Sequence, residues 1–339
     1  MQRVLSRREV LRQASSAALM TVPLARPVRA AARLDVKIAN AAGALNLTMA
    51  ELMRQQRFLE SFDLAPEMMT VADGTKILGG VVSGSVDVSM ASGFGQVFPA
   101  VEHGAPIKIL AGGALLPALA LFSSKPDVKT LQDLAGKTIG TGSVGALVYQ
   151  LTAALLQKYG VDTTKIRFVN VGSSADIFRA VAAGTVDGGM ADVTLIDVAA
   201  EHHVHLLQHG NLSSELPEFT YQGAWTSDRK IKTERETLVR TLAAYARLYR
   251  FVQDPGSRDA FLRARRSVFP NSPEREHVAQ WSYIQTYRPF AVDLVLSPER
   301  LRYVQELNLR FGTQKELLPF ERVADMSLAR DALKLVNVR

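Results

Sequence analysis

Apolar and polar positions alternate along Leu34–Ala39 (LDVKIA), the period of a half-buried strand. A loop, Asn40-Ala41-Ala42-Gly43-Ala44, leads to helical spacing from about Asn46 to Phe58. Glu67–Ala72 reads as a second strand, and Thr75–Ser83 as a helix with Ile77, Leu78 and Val81 on one face and Gly84 at its end. Val86–Ala91 is a third strand, Gly95–Glu102 a helix and Ile107–Ala111 a fourth strand. Strand then helix, repeated, predicts a mainly parallel sheet.

The pattern then starts again. Ala118–Ser124 reads as a buried strand, Thr138–Gly140 as another, and Val144–Tyr159 as a helix ended by Gly160. Ile166–Val171 is a strand, Ala175–Ala183 a helix, Val186–Ala191 a strand and Val204–Gln208 the last strand of this set. Phe219–Thr226 returns the chain to the first set. From Glu234 onward the spacing is helical, over Glu234–Phe251, Ser257–Arg266, Pro273–Gln285 and Ser297–Phe311. With no strand signal, this tail is expected to pack outside the rest. The expected organisation is α/β: two Rossmann-like lobes with a hinge, lobe 1 from 31–117 plus 219–339 with the helical tail, and lobe 2 from 118–218.

A repeat supports two lobes. Val71–Gly93 (VADGTKILGGVVSGSVDVSMASG) and Val171–Val193 (VGSSADIFRAVAAGTVDGGMADV) agree at eight positions, including Gly84/Gly184, Val86/Val186 and Asp87/Asp187. Two copies 100 residues apart are too few for a solenoid. They fit two similar lobes facing across a cleft, where small ligands bind.

The first thirty residues read as an export signal. Ser6-Arg7-Arg8-Glu9-Val10-Leu11-Arg12 is similar to the twin-arginine pattern, Ala14–Leu24 is apolar, and Val28-Arg29-Ala30 offers a cleavage site after Ala30. The apolar stretch is about half of a membrane span and holds Pro23. Gly112–Phe122 is the nearest later approach to a span, and it is short and holds Pro117. No Cys occurs, which excludes a lipid-anchored N-terminus, disulfides, thiolate metal sites and a Cys nucleophile. Of the 40 basic and 33 acidic residues, six Arg and one Glu lie in this segment; the rest carries 34 against 32, a net of +2. No nucleic-acid surface is expected from that balance.

In open parallel sheets ligands sit beyond the C-terminal strand ends. These are rich here in Gly, Ser, Thr and Asn and poor in Lys and Arg. The candidate ligand-binding residues are Asn40, Ala41, Gly43, Gly74, Thr75, Ser92, Gly93, Thr141, Gly142, Ser143, Ser173, Ser174 and Asp192. Helix N-termini there would suit an anion, although any single Ser, Thr or Asn could simply cap a helix. Trp225 and Trp281 read as core or hinge residues, but Trp225 follows the return strand and is also a candidate to stack on an aromatic solute. Arg263, Arg265 and Arg266 read as a solvated helix face.

The helix-x-x-G-x-V-D pattern, the phrase Leu131-Gln132-Asp133-Leu134-Ala135-Gly136-Lys137-Thr138-Ile139-Gly140 and the second Gly184-Thr185-Val186-Asp187 resemble periplasmic binding proteins of ABC importers. The nearest branch is the nitrate, aliphatic-sulfonate and taurine type, which includes binders of thiamine-pyrimidine precursors. The resemblance runs from about Leu34 to Phe251. It implies two lobes of the type II binding-protein kind that close on a small organic or anionic solute and hand it to an ABC permease of the inner membrane. It further implies a periplasmic monomer with no cofactor, no catalytic residues and no membrane insertion once the signal is removed. Asp192 departs from this picture: a carboxylate at a strand end repels an anion. It allows a solute with a cationic or hydrogen-bond-donating end, unless Asp192 caps the helix from Val193 and faces away.

Three other readings compete. Gly140-Thr141-Gly142-Ser143-Val144-Gly145 matches a dinucleotide fingerprint, but the next strand ends at Asn170-Val171-Gly172 without the acid that would hold a ribose. Glu201, His202, His203, His205 and His209 suggest a metal. On a strand, however, His205 and His209 lie about 13 Å apart, too far to share one. The third is a periplasmic enzyme on the same two-lobed fold, with Asp192 available as a base. The thiamine-pyrimidine synthases similar to this family use a Cys-rich segment that this chain lacks.

Overall fold

A computed structural model describes residues 33–338. The expected signal, its twin-arginine pair and its cleavage site lie outside the described residues. Ten strands are present: β1 (Leu34–Ala41), β2 (Leu64–Val71), β3 (Val88–Ser92), β4 (Ile107–Gly112), β5 (Leu119–Ser123), β6 (Thr138–Thr141), β7 (Arg167–Asn170), β8 (Gly188–Asp192), β9 (His205–Asn211) and β10 (Gly223–Ser227). The helices interleaved with them are α1 (Ala44–Gln55), α2 (Gly74–Ser83), α3 (Val97–Glu102), α4 (Leu147–Lys158), α5 (Ser174–Ala182) and α6 (Leu212–Glu215). The tail supplies α7 (Asp228–Thr233), α8 (Arg235–Gln253), α9 (Arg258–Val268), α10 (Glu274–Tyr287), α11 (Pro298–Arg310), α12 (Phe320–Val323) and α13 (Ser327–Val338).

The strands form two five-stranded sheets, β2-β1-β3-β10-β4 and β7-β6-β8-β5-β9. Both are mainly parallel, as expected, and are mixed through one reversed strand each. In the first, β1 runs parallel to β2 and β3 while β10 is antiparallel to β3 and β4. In the second, β6 runs parallel to β7 and β8 while β5 is antiparallel to β8 and β9. The reversed strand in each sheet is the one that has just crossed from the other lobe. Such a strand enters from the cleft side and must run against its neighbours. The crossing segments 113–118 and 216–222 lie side by side: Gly113 N–H donates to Gln222 O (2.9 Å) and Gln222 N–H to Ala114 O (2.8 Å).

The repeat occupies equivalent places, with β3 and β8 both third in their sheets. Gly84 and Gly184 take φ of 83° and 68° after α2 and α5, a conformation that an L side chain would strain. Ile77, Val81, Ile177 and Val181 are buried. The Asp of each copy serves the backbone. Asp87 Oδ2 accepts from Lys37 N–H and Asp187 Oδ2 from Thr138 N–H, both at 2.8 Å. The Asp87 carbonyl accepts from Thr226 Oγ1 of the reversed strand, and the Asp187 carbonyl from Ser123 Oγ of its counterpart.

The tail does not simply pack outside. Helical periodicity reveals which face of a helix is apolar but not what covers it. Gly112 N–H donates to Leu294 O, Ala291 N–H to Gly113 O and Asp325 N–H to Ile109 O, so the tail closes on β4 and the crossing. Buried Asn308 on α11 reaches both lobes. It donates to Gly95 O (3.0 Å) in the first and accepts from Gln150 Nε2 of α4 in the second. Trp281 and Ile284 of α10 are buried in the main core, and Leu301 and Val304 of α11 in a second cluster. Asn308→Ala would leave Gly95 O and the Gln150 amide buried without partners, each costing about 1–3 kcal/mol. We expect urea unfolding to show a stability loss of about 2 kcal/mol with an unchanged m-value.

Candidate functional site

A cleft lies between the sheets, walled by residues of both lobes, the concave kind of site that small ligands use. The first lobe contributes the β1–α1 loop, the start of α2 and the end of β3. The second contributes the loops before α4 and α5 and the end of β8. Ala118, Leu119, Tyr221 and Gln222 wall it where the chain crosses. Ala41, Gly43, Gly74, Ser92, Gly93, Gly142, Ser143, Ser173, Ser174 and Asp192 all stand in this wall.

Four candidates do not. Asn40 is buried one strand position back, 3.5 Å from the Tyr245 hydroxyl. Thr75 is exposed and donates its hydroxyl to Asp73 Oδ1 at 2.7 Å. Thr141 is 1% exposed and donates to Gly142 O. Trp225 is fully buried in the first-lobe core, where β10 lies between β3 and β4, and its Nε1–H donates to Ser92 Oγ at 2.9 Å. It supports the site from behind and cannot stack on a solute.

The strand ends are capped as well as exposed to the cavity. Asp73 Oδ1 accepts from Thr75 N–H (2.8 Å) at the start of α2. Ser173 and Asp176 form a reciprocal capping box on α5. Asp192 Oδ1 accepts from Thr194 N–H (3.0 Å) and from its hydroxyl (2.6 Å), capping the 3₁₀ turn Val193–His202. Asp192 therefore caps and lines the cavity together. At α1, Gly43 provides no side-chain cap.

Burial pushes the Asp192 carboxyl above its ordinary value, against the hydrogen bonds from Thr194 and the charge of Arg265, while Glu276 adds to the rise. Arg265 is 2% exposed, which corrects the solvated-face reading for that residue: it is enclosed by α1, α9 and α10 and donates to Gln280 Oε1 at 3.0 Å. Burial lowers its pKa, and the charge of Asp192 opposes that shift. Arg263 and Arg266 are exposed. The histidines are dispersed among separate partners: His205 Nε2 contacts Val128 O, and His209 contacts Glu215 and stacks on Tyr159.

The lobes touch at the cavity mouth. Ser143 of the second lobe donates its hydroxyl to Asp73 Oδ2 of the first, and Asn170 Nδ2 donates to Ser143 Oγ at 3.1 Å. Burial raises the Asp73 carboxyl, but the bonds from Ser143 and Thr75 and the charge of Lys76 outweigh it, leaving the group below its ordinary value. Gly93 and Gly95 lie against Leu147 and Gln150 of α4, so that a Cβ at Gly93 would meet Leu147 Cδ1 at 2.9 Å.

The model of the family described as NMT1/THI5 like matches residues 56–256. The chain belongs to that family. A search of curated proteins finds no match. Among solved structures, this NMT1/THI5-like chain is similar to the alkanesulfonate-binding protein SsuA of Xanthomonas axonopodis pv. citri bound to MOPS, with 19% identity, TM-score 0.69 and coverage of 89% of this chain and 99% of that one. It is similar to the periplasmic nitrate-binding protein NrtA of Synechocystis PCC 6803, with 10% identity, TM-score 0.70 and coverage of 91% and 90%. It is also similar to the desulfurization enzyme DSZB, with 14% identity, TM-score 0.59 and coverage of 89% and 99%. These likenesses establish the periplasmic-binding-protein fold.

Residues absent from the sequence-based candidates also wall the NMT1/THI5-like cleft: Asn46, Asp73, Gln96, Leu147, Tyr221 and Gln222. Asp73 had a readable signal, since it precedes Gly74 at a strand end as a helix cap would. Tyr221 and Gln222 had only a polar interruption in the return segment, and their place depends on the crossing. Two predictions follow from the carboxylates. A lowered folded-state pKa makes the Asp73 contribution present at neutral pH and lost as pH falls below the ordinary 3.8. Ser143→Ala should therefore lower the melting temperature at pH 7, by roughly 0.5–1 kcal/mol of stability, with the difference from the parent shrinking at pH 3. Asp192 has the opposite sign: its raised pKa favours folding below 3.8, an advantage lost as pH rises through the folded value. Asp192→Asn, which keeps a cap acceptor, should raise the ligand-free melting temperature at pH 7.

Proposed function

We propose that the protein is an exported solute-binding protein that closes two lobes on a small solute and delivers it to an ABC permease of the inner membrane. The observation that carries this reading is the construction of the cavity. Its walls come from both lobes and its back from the two crossing segments, so its volume depends on the angle between the lobes. A solute that touches both walls binds the closed arrangement better and shifts the population toward it. Family membership and the fold shared with sulfonate- and nitrate-binding proteins support the reading. The periplasmic address rests on the signal-like Ser6–Arg12 and the apolar run after it. Among the described residues no helix is long and apolar enough to cross a membrane.

The likeness to DSZB favours a second reading, an enzyme acting on a small organic substrate in the same cleft. One experiment separates the two. The purified protein is screened by thermal shift against sulfonates, nitrate, taurine, amines, aromatic carboxylates and pyrimidines, and each stabilising compound is recovered and identified. Binding at a hundred times Kd should add about 2.7 kcal/mol, several degrees at this size, with the solute recovered unchanged and the radius of gyration smaller. Recovery of an altered compound would replace the binding reading with the enzymatic one.

A further inference from the structure

The cavity wall is acidic. Among the described residues that form it, Asp73 and Asp192 are the charged side chains, and no Lys, Arg or His accompanies them. The two carboxylates differ in what they leave available. Asp73 Oδ1 is taken by Thr75 and Oδ2 by Ser143. Asp192 Oδ1 is taken by Thr194, while Oδ2 has no hydrogen-bond partner among the described residues. A second acceptor is also unmatched. Gln96 is 8% exposed and stands in the same wall, and its Oε1 has no partner. Its amide orientation follows from Nε2, which faces the Gly74 carbonyl at 3.4 Å; reversal would place two acceptors together.

Helix starts in the wall are covered in part: those of α1 and α4, at Gly43 and Ala146, carry no side-chain cap, and the others are taken. The helix start at α2 and the 3₁₀ turn after β8 are covered by Asp73 and Asp192, and that of α5 by Ser173 and Asp176. Buried Arg265 is not in the wall and points its guanidinium at Gln280. Burial raises the Asp192 carboxyl, and the Arg265 charge opposes part of that rise from behind. A solute entering this cavity meets a carboxyl oxygen and an amide oxygen, both short of a donor among the described residues. Buried polar groups left without partners are costly, so the matching solute is one that brings the donors.

Resting on the solute-binding reading above, we infer that the solute presents a cationic nitrogen head, an ammonium or amidinium, to Asp192 Oδ2. This sets the chain apart from the sulfonate and nitrate named for its structural neighbours.

Matched pairs test the charge directly. Ethylammonium with ethanesulfonate and benzylammonium with benzenesulfonate are titrated at millimolar concentrations against the full chain, with melting temperature and calorimetry as readouts. We expect at least one ammonium to bind and neither sulfonate to do so. Asp192→Asn should weaken that ammonium at least tenfold while remaining folded by circular dichroism, and Asp192→Glu should recover binding. Binding of a sulfonate in preference to its ammonium partner, or an ammonium affinity unchanged in Asp192→Asn, would overturn the inference. Silence from all four compounds would also overturn it, since a site built for a nitrogen cation registers small ones. In that case the broad solute panel still decides independently whether the protein binds a solute at all.

Discussion

Each lobe is organised around one aspartate that ties strands together. The Asp87 carboxylate holds β1 through Lys37 N–H and its backbone carbonyl holds β10 through Thr226 Oγ1, while the Asp187 carboxylate and carbonyl do the same for β6 and β5. A charge-assisted bond to a backbone N–H is stronger than a neutral one, and both carboxylates sit where the parallel and antiparallel parts of a sheet meet. In the first lobe Lys230 at 2.5 Å also contacts Asp87. The strand ends that build the cavity are positioned from these junctions. The V-D of the repeat is thus a structural device, and the cavity-facing variation lies a few residues later, where Ser92-Gly93 stands in one copy and Asp192 in the other.

That difference makes the cavity chemically lopsided although the lobes share a strand order. The first-lobe wall has small residues and an uncapped α1. The second-lobe wall has a capped α5, an uncapped α4 and a carboxylate, Asp192, whose burial is unfavourable in its charged form. The seam between the lobes is also imperfectly satisfied, with Gln96 Oε1 and Gln150 Oε1 both unpaired. Unpaired buried polar atoms also occur away from the seam, at Arg265 Nε, His277 Nδ1 and Gln280 Nε2 on α9 and α10.

Much of this was legible in the chain. The 100-residue offset, the Gly stops and the alternation of strands with helices placed most of the cavity loops, because strand-end chemistry in this architecture follows from connectivity. The remainder depended on facts that periodicity does not carry. Asn40 and Thr141 are polar residues at strand ends whose side chains turn inward, and a shift of one position decides which face is reached. Trp225 became core because β10 is inserted between β3 and β4, a pairing across more than a hundred residues. Arg265 reads as solvated in any helix with three nearby arginines, and only the packing of α1, α9 and α10 shows that it is enclosed. The tail's clasp through Asn308 had no local signal at all.

The placement of β10 has a consequence for the order in which the molecule can be assembled. The second sheet draws all its strands from an unbroken stretch, Leu119 to Asn211, and can be completed as soon as that stretch is available. The first sheet remains divided, with β4 unattached to β3, until Gly223–Ser227 arrives to bridge them. During synthesis, the half that begins first must therefore finish last. Meanwhile the facing edges of β3 and β4 stay open, and an open strand edge is a template for unwanted pairing. The newborn chain is thus most vulnerable to aggregation in its N-terminal half, in the interval before residue 227 emerges.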